Sequence, residues 1–113
     1  MTEKNSGDYD YKQLDPLFHS PIRLAIISLL MSTEEAEFTY IRDKIGATDG
    51  NLSRHLSKLE DHGLIDVKKE FIGKKPVTYQ KLSTKGRSAF IRYIQTLETF
   101  IGEYDSGQER NAN

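Results

Sequence analysis

The sequence predicts a mostly α-helical domain with one small β-hairpin, an α+β arrangement, and three observations lead there. Apolar residues recur at helical spacing up to Leu59, in stretches that open on capping residues. The period drops to two between Ile65 and Tyr79, around a Gly-Lys-Lys-Pro turn. It returns to heptad spacing from Phe90 to Tyr104.

The chain has 113 residues, 36% hydrophobic and 29% charged, which suits one domain with a modest core. Residues 13–104 carry the pattern. The polar stretches 1–12 and 105–113 are expected to be a disordered arm and a disordered tail. The absence of cysteine excludes a disulfide scaffold, a thiolate metal site and a cysteine nucleophile, and fits a cytoplasmic protein. The longest apolar run, 24–31, is far shorter than the roughly 20 residues a bilayer needs, so no membrane partner is expected. The start, MTEKNSGDYDYK, has no apolar stretch and no signal peptide is expected there.

Each element has its local cause. Asp15-Pro16 and Ser20-Pro21 pair an N-cap with a proline that loses no helical hydrogen bond, and they open a short helical turn and then a helix over 21–31. That helix is apolar on several faces (Ile22, Leu24, Ile26, Ile27, Leu29, Leu30) and is expected to be central. Thr39 can cap a short helix to Ile45, stopped by Gly46. Thr48 or Asp49 then caps a helix over 48–62 with Leu52, Leu56 and Leu59 inward. Gly63 ends it and sets Leu64 against Leu59. Two helices joined by a short Gly-containing turn have the form of a helix-turn-helix.

In the hairpin, Ile65, Val67 and Phe71 alternate with Asp66, Lys68 and Glu70, and Val77 and Tyr79 with Thr78 and Gln80; residues 72–76 are the turn. Ser83 caps a long helix to about Tyr104, whose apolar residues Phe90, Ile94, Leu97, Ile101 and Tyr104 form a heptad seam widened by Tyr93 and Phe100. The order helix, helix-turn-helix, hairpin, long helix is that of a winged helix-turn-helix.

The segment Thr48-Asp49-Gly50-Asn51-Leu52-Ser53-Arg54-His55-Leu56-Ser57-Lys58-Leu59-Glu60, followed by His62-Gly63-Leu64-Ile65, resembles the recognition segment of MarR/ArsR-like winged-helix transcriptional regulators. Phe71-Ile72-Gly73-Lys74-Lys75-Pro76-Val77-Thr78-Tyr79 is similar to their wing, and Leu82-Ser83-Thr84-Lys85-Gly86-Arg87 to the start of their last helix. The resemblance spans about residues 14–101. It implies a dimeric, prokaryotic DNA-binding regulator, usually a repressor, without catalysis.

The residues carry the chemistry this needs. Opposite the three leucines lie Asn51, Arg54, His55 and Lys58, and an α-helix reads the major groove from its N-terminal half. Arg54 and Asn51 suit guanine and adenine, and each such pair is worth about 1–3 kcal/mol of discrimination. Thr48 belongs to the same helix start, and Ser53, Ser57 and Lys58 suit phosphates, which position without specifying. Gly50 costs roughly 1 kcal/mol against alanine in a helix; it either admits a close approach to DNA or marks a frayed start. Residues 48–82 hold seven Lys and Arg against five Asp and Glu, a small basic excess in a chain of net charge −1. Lys74 and Lys75 at the hairpin tip would meet a flanking groove or phosphate rail, or simply keep the turn solvated. Asp49 would repel a phosphate at the N-terminus of the 48–62 helix even while it stabilises the helix dipole.

The last helix either covers the core or seals a homodimer. Some 20 residues reach about 30 Å, longer than so small a domain needs, so a dimer is expected through Phe90, Tyr93, Ile94, Leu97, Phe100, Ile101 and Tyr104, with Leu14, Leu17 and Phe18 against them. Two recognition helices would then lie roughly 34 Å apart on a pseudo-palindromic double-stranded DNA operator. An unknown small-molecule effector is a possible further partner, and Tyr93, Phe100 and Tyr104 either line its pocket or, as aromatics at helical spacing more often do, simply pack. No cofactor and no metal are expected: no phosphate loop or GxSxG is present, and His55 and His62 sit about 10.5 Å apart along one helix. The competing function is a winged helix that binds another protein and no DNA.

Overall fold

The computed structural model describes the backbone of residues 9–112 and the side chains of residues 9–102. Residues 1–8 of the expected arm lie outside it. Asp10 caps a 3₁₀ turn at Tyr11–Gln13, and Asp15 caps a second at Pro16–Phe18 by accepting the Leu17 N–H. Residues 9–12 are therefore part of the folded region, held by Asp10 at one end and by Tyr9 stacking on Phe100 at 5.8 Å at the other.

Helix α1 (Pro21–Met31) starts as expected, with the Ser20 hydroxyl accepting the Arg23 N–H and Pro21 in the first turn. Ile26, Ile27 and Leu30 are fully buried. Strand β1 (Ala36–Glu37) and helix α2 (Phe38–Ile45) follow. The expected cap at Thr39 is corrected: α2 begins at Phe38, Glu37 holds the cap position without a side-chain bond, and Thr39 sits inside the first turn. Pairing of Glu37 with Tyr79 in the sheet fixes the chain up to the helix start and so sets where α2 begins. Gly46, at φ 72°, closes α2.

Helix α3 (Asp49–Asp61) is capped by Thr48, whose hydroxyl accepts the Asn51 N–H at 3.2 Å. It ends in a Schellman motif: Leu64 N–H donates to Leu59 C=O and Gly63 N–H to Glu60 C=O, both at 2.9 Å, with Gly63 at φ 74°. Leu52, Leu56 and Leu59 are buried against α1.

Strands β2 (Ile65–Ile72) and β3 (Lys75–Leu82) pair along their whole lengths, and β1 adds a third antiparallel strand in the order β1-β3-β2. The turn is only Gly73-Lys74, tighter than the 72–76 expected, because Gly73 adopts φ 66° and the ladder continues to Ile72 opposite Lys75. Period two does not translate into burial along the whole hairpin. Ile65 and Leu82 are core residues, whereas the tip projects past it and leaves Phe71 73% exposed.

Helix α4 (Thr84–Ala112) is capped by Ser83, whose hydroxyl accepts the Gly86 N–H at 2.9 Å and donates to Gly63 C=O at 2.6 Å. It passes the expected end at Tyr104 and continues to Ala112, so the segment expected to be a disordered tail is helical up to that residue. With no proline after Pro76 to stop it, each further residue adds a hydrogen bond to an existing helix. The first half of α4 closes the core: Phe18 stacks on Phe90 at 5.5 Å and on Tyr93 at 4.9 Å. Phe18 thus packs against the last helix as expected, and for Phe90 and Tyr93 the contact made is the core-covering one of the two readings. All three are buried within one chain, each such aromatic contributing on the order of 2–3 kcal/mol to the core.

Candidate nucleic-acid interface

The cap and the Schellman motif fix the ends of α3, and its three leucines fix its rotation. Gly50, Asn51, Ser53, Arg54, Ser57 and Lys58 are consequently exposed. The Arg54 guanidinium donates to Asn51 Oδ1 at 3.3 Å, so the two base-reading candidates stand side by side one turn apart. Thr48 is exposed as well, with its hydroxyl oxygen engaged in the cap.

The first turn is well formed, which removes a frayed start as the reason for Gly50. Its φ is ordinary, and a β-carbon added there would meet nothing within 4 Å. Neither conformation nor packing within the chain explains the glycine.

Asp49 loses some of its awkwardness. Arg42 of α2 donates to its carboxylate at 3.0 Å and to Asp43 at 2.9 Å, so the negative charge at the start of α3 is partly offset and the two helices are joined across the turn. The bonds to Asp43 and then Asp49 push the Arg42 guanidinium above its ordinary value.

His55 departs from the outward row in which the sequence placed it. It is half-buried against α1, where Arg23 Nη1 meets its Nδ1 at 3.1 Å while Arg23 Nε donates to Leu17 C=O at 2.7 Å. Because arginine can only donate, His55 Nδ1 accepts and the proton sits on Nε2. Burial holds the imidazole below its ordinary value, and the positive charges of Arg54, Arg23 and Lys58 push the same way. A position at the edge of the leucine face, one turn from Leu52 and Leu59, is the sequence signal for this inward setting.

The sequence reading singled out neither Arg23 nor Arg42. Arg23 follows a cap-proline pair and reads as a first-turn charge; only the tertiary contact to α3 reveals it. Beside it lies a depression of about 350 Å³ lined by Asp15, Pro16, Leu17, Arg23, Lys58 and His62. Lys74 and Lys75 are exposed at the hairpin tip.

A capped helix with a polar, basic outer row, set by a three-residue turn behind α2 and flanked by a basic hairpin, is the geometry of a winged helix. Residues 22–101 match the winged helix DNA-binding domain family. The chain belongs to that family. An uncharacterized protein of Methanocaldococcus jannaschii is 44% identical over 78 residues, covering 69% of this chain and 85% of its own. Among solved structures, a transcriptional regulator homologue from Pyrococcus horikoshii is 29% identical, with a TM-score of 0.73 over 79% of this chain and 88% of that one. NadR in complex with 4-hydroxyphenylacetate shares the fold at 22% identity and a TM-score of 0.60, covering 88% of this chain and 70% of its own. The winged helix is thus a DNA-binding regulator module and not an enzyme, in keeping with the resemblance to MarR/ArsR-like regulators. Among the described residues no helix is long and apolar enough to cross a membrane.

The remaining dimer candidates divide by position. Leu14, Leu17, Ile94 and Leu97 are partly buried on the chain's own core, and Phe100 packs on Tyr9. Ile101 is 48% exposed, and Ile91, which the heptad omitted, is 43% exposed. The side chain of Tyr104 lies outside the described residues. Tyr93 is buried and Phe100 contacts Tyr9, which is the packing alternative for these two aromatics.

Proposed function

We propose that this winged helix is a sequence-specific transcriptional regulator of cytoplasmic DNA, most naturally a repressor, acting as a homodimer. The observation that carries the reading is the exposed row Gly50, Asn51, Arg54, Ser57 and Lys58 on a helix whose first-turn acid, Asp49, is held by Arg42. In this reading Asn51 and Arg54 meet base edges, while Thr48, Ser53, Ser57 and Lys58 meet phosphates. Lys74 and Lys75 hold the flank. His55 takes no base; it fixes the angle of α3 through Arg23.

The dimer would form through the outer side of α4 around Ile91 and Ile101, beyond the part that closes the core. A small-molecule effector is the other partner we propose. It has room in the depression beside Arg23 and Lys58, where an occupant would press on the Arg23–His55 contact and so on the recognition helix. A solved neighbour of the same fold carries 4-hydroxyphenylacetate, which supports an effector of some kind without naming it.

The test is fluorescence anisotropy on duplex DNA from the protein's own upstream region, against a shuffled duplex, from about 50 to 200 mM salt. Preference for the upstream duplex that persists at the higher salt supports the regulator. Equal, salt-labile binding to both, or none, turns the assignment toward a protein-binding winged helix.

A further inference from the structure

The hairpin tip presents apolar residues where a solvated turn would carry none. Phe71 is 73% and Ile72 59% exposed, adjacent in sequence and on opposite faces of the ribbon. The register sets Phe71 across from Pro76 and Ile72 across from Lys75. Isolated exposed apolar residues need no explanation, but here two adjacent ones lie at the end of an edge strand whose own edge pairing Pro76 and the tip lysines already discourage, which leaves a partner other than a strand.

Charge identifies the partner. Lys68 is bound to Glu35 at 3.5 Å and Glu70 at 3.4 Å, which consumes the one acid near the tip. Among the described residues, Lys69, Lys74 and Lys75 have no carboxylate within ion-pair distance. A second copy of this tip would bring like charges together, whereas a polyanion matches them.

Dimensions agree. Val77, opposite Glu70, is the buried residue nearest the turn. At about 3.3 Å per residue the tip projects roughly 10 Å beyond it, enough for a minor groove about 7.5 Å deep. Paired strands about 4.8 Å apart with side chains on both faces overfill a groove about 6 Å wide, so entry requires the groove to open.

We propose that the wing is an apolar wedge: Phe71 and Ile72 enter the minor groove and unstack a base step while Lys69, Lys74 and Lys75 hold the phosphate rails. This rests on the DNA-binding reading above and adds a bend to it. Insertion of apolar side chains at a step kinks DNA toward the major groove.

The experiment uses the upstream duplex with 2-aminopurine at each flanking adenine and a fluorophore pair at its ends. The full chain is compared with Phe71→Ala, Ile72→Ala, the double variant and Lys75→Ala. Wild type is expected to raise 2-aminopurine emission and end-to-end energy transfer. The double variant should lose both signals and bind about tenfold more weakly at an unchanged salt slope. Lys75→Ala should lower the slope by about one and retain the 2-aminopurine signal. Wild-type binding to straight, fully stacked DNA overturns the wedge and leaves the regulator intact. So does a double variant that bends DNA normally, including one whose only defect is self-association. No wild-type binding to any duplex overturns both.

Discussion

The guanidinium of Arg23 and the imidazole of His55 meet at 3.1 Å and join α1 to the recognition helix. The contact requires an unprotonated Nδ1, because a charged imidazole offers only donors to a group that offers only donors. The folded state thus favours neutral His55, in line with the lowered value that burial and then Arg54, Arg23 and Lys58 impose. With the folded value below the unfolded one, near 6.5, the unfolded chain binds the extra proton. The stabilisation is present above about pH 6.5 and is lost as pH falls through the folded value. Thermal midpoints measured from about pH 7.5 to 5.5 should fall for wild type by more than for His55→Gln, which keeps an acceptor but does not titrate. Parallel curves would remove His55 from the pH response.

Gly50 has neither a conformational nor a packing reason within the chain. Gly50→Ala should raise stability by up to about 1 kcal/mol through helix propensity and still weaken DNA binding, because the methyl group would stand between the backbone and the duplex. Urea unfolding and anisotropy on the same variant check both halves. A variant that is more stable and binds equally well would show that the DNA does not come close at this point.

Gly86 acts in the opposite way. A β-carbon there would collide with the Leu64 carbonyl, the same group that accepts the Ser83 N–H at the start of α4. Gly86→Ala should cost about 1–3 kcal/mol of overpacking strain, seen as a lower urea midpoint with no change in the DNA contacts themselves. Because Leu64 is also the last residue of the motif that closes α3, the variant should loosen the angle between α3 and α4 as well.

How far the sequence disclosed this arrangement depends on the range of the interaction that sets each part. Caps and glycine stops act within a few residues, so Ser20, Thr48, Gly63 and Ser83 were legible directly and with them the helix-turn-helix. Strand β1 was not, since two residues have no period and Ala36–Glu37 is a strand only because β3 lies beside it. Phe90 and Tyr93 fit a dimer seam by spacing, yet spacing cannot say whether the facing surface belongs to the same chain. Phe18 turned out to be that surface. Period two likewise grouped Phe71 with Ile65 and Val67, without telling where the core beneath the hairpin stops.

The outer side of α4 separates the dimer from the monomer. Ile91→Glu with Ile101→Glu places charge on two exposed positions, at little cost to the folded chain. Sedimentation velocity should show the double variant as a monomer while its thermal midpoint at fixed protein concentration drops only by the lost association. An unchanged dimer would move the interface elsewhere.

The division of labour on DNA is the sharpest prediction, because two residues of the same charge are assigned unlike roles. Arg54 stands on the recognition helix beside Asn51, to whose Oδ1 it donates at 3.3 Å, and its remaining N–H donors suit a paired contact with guanine. Lys75 stands at the hairpin tip, as the first residue of β3 and away from the recognition helix. Arg54→Ala should cost about 1–3 kcal/mol on the preferred duplex and much less on a shuffled one, compressing the ratio between them. Lys75→Ala should weaken both duplexes alike, leaving the ratio intact and reducing the salt slope by about one. Affinities on both duplexes at several salt concentrations measure ratio and slope together. Identical behaviour of the two variants would mean that charge alone holds the complex, and that the helix is not reading sequence through Arg54.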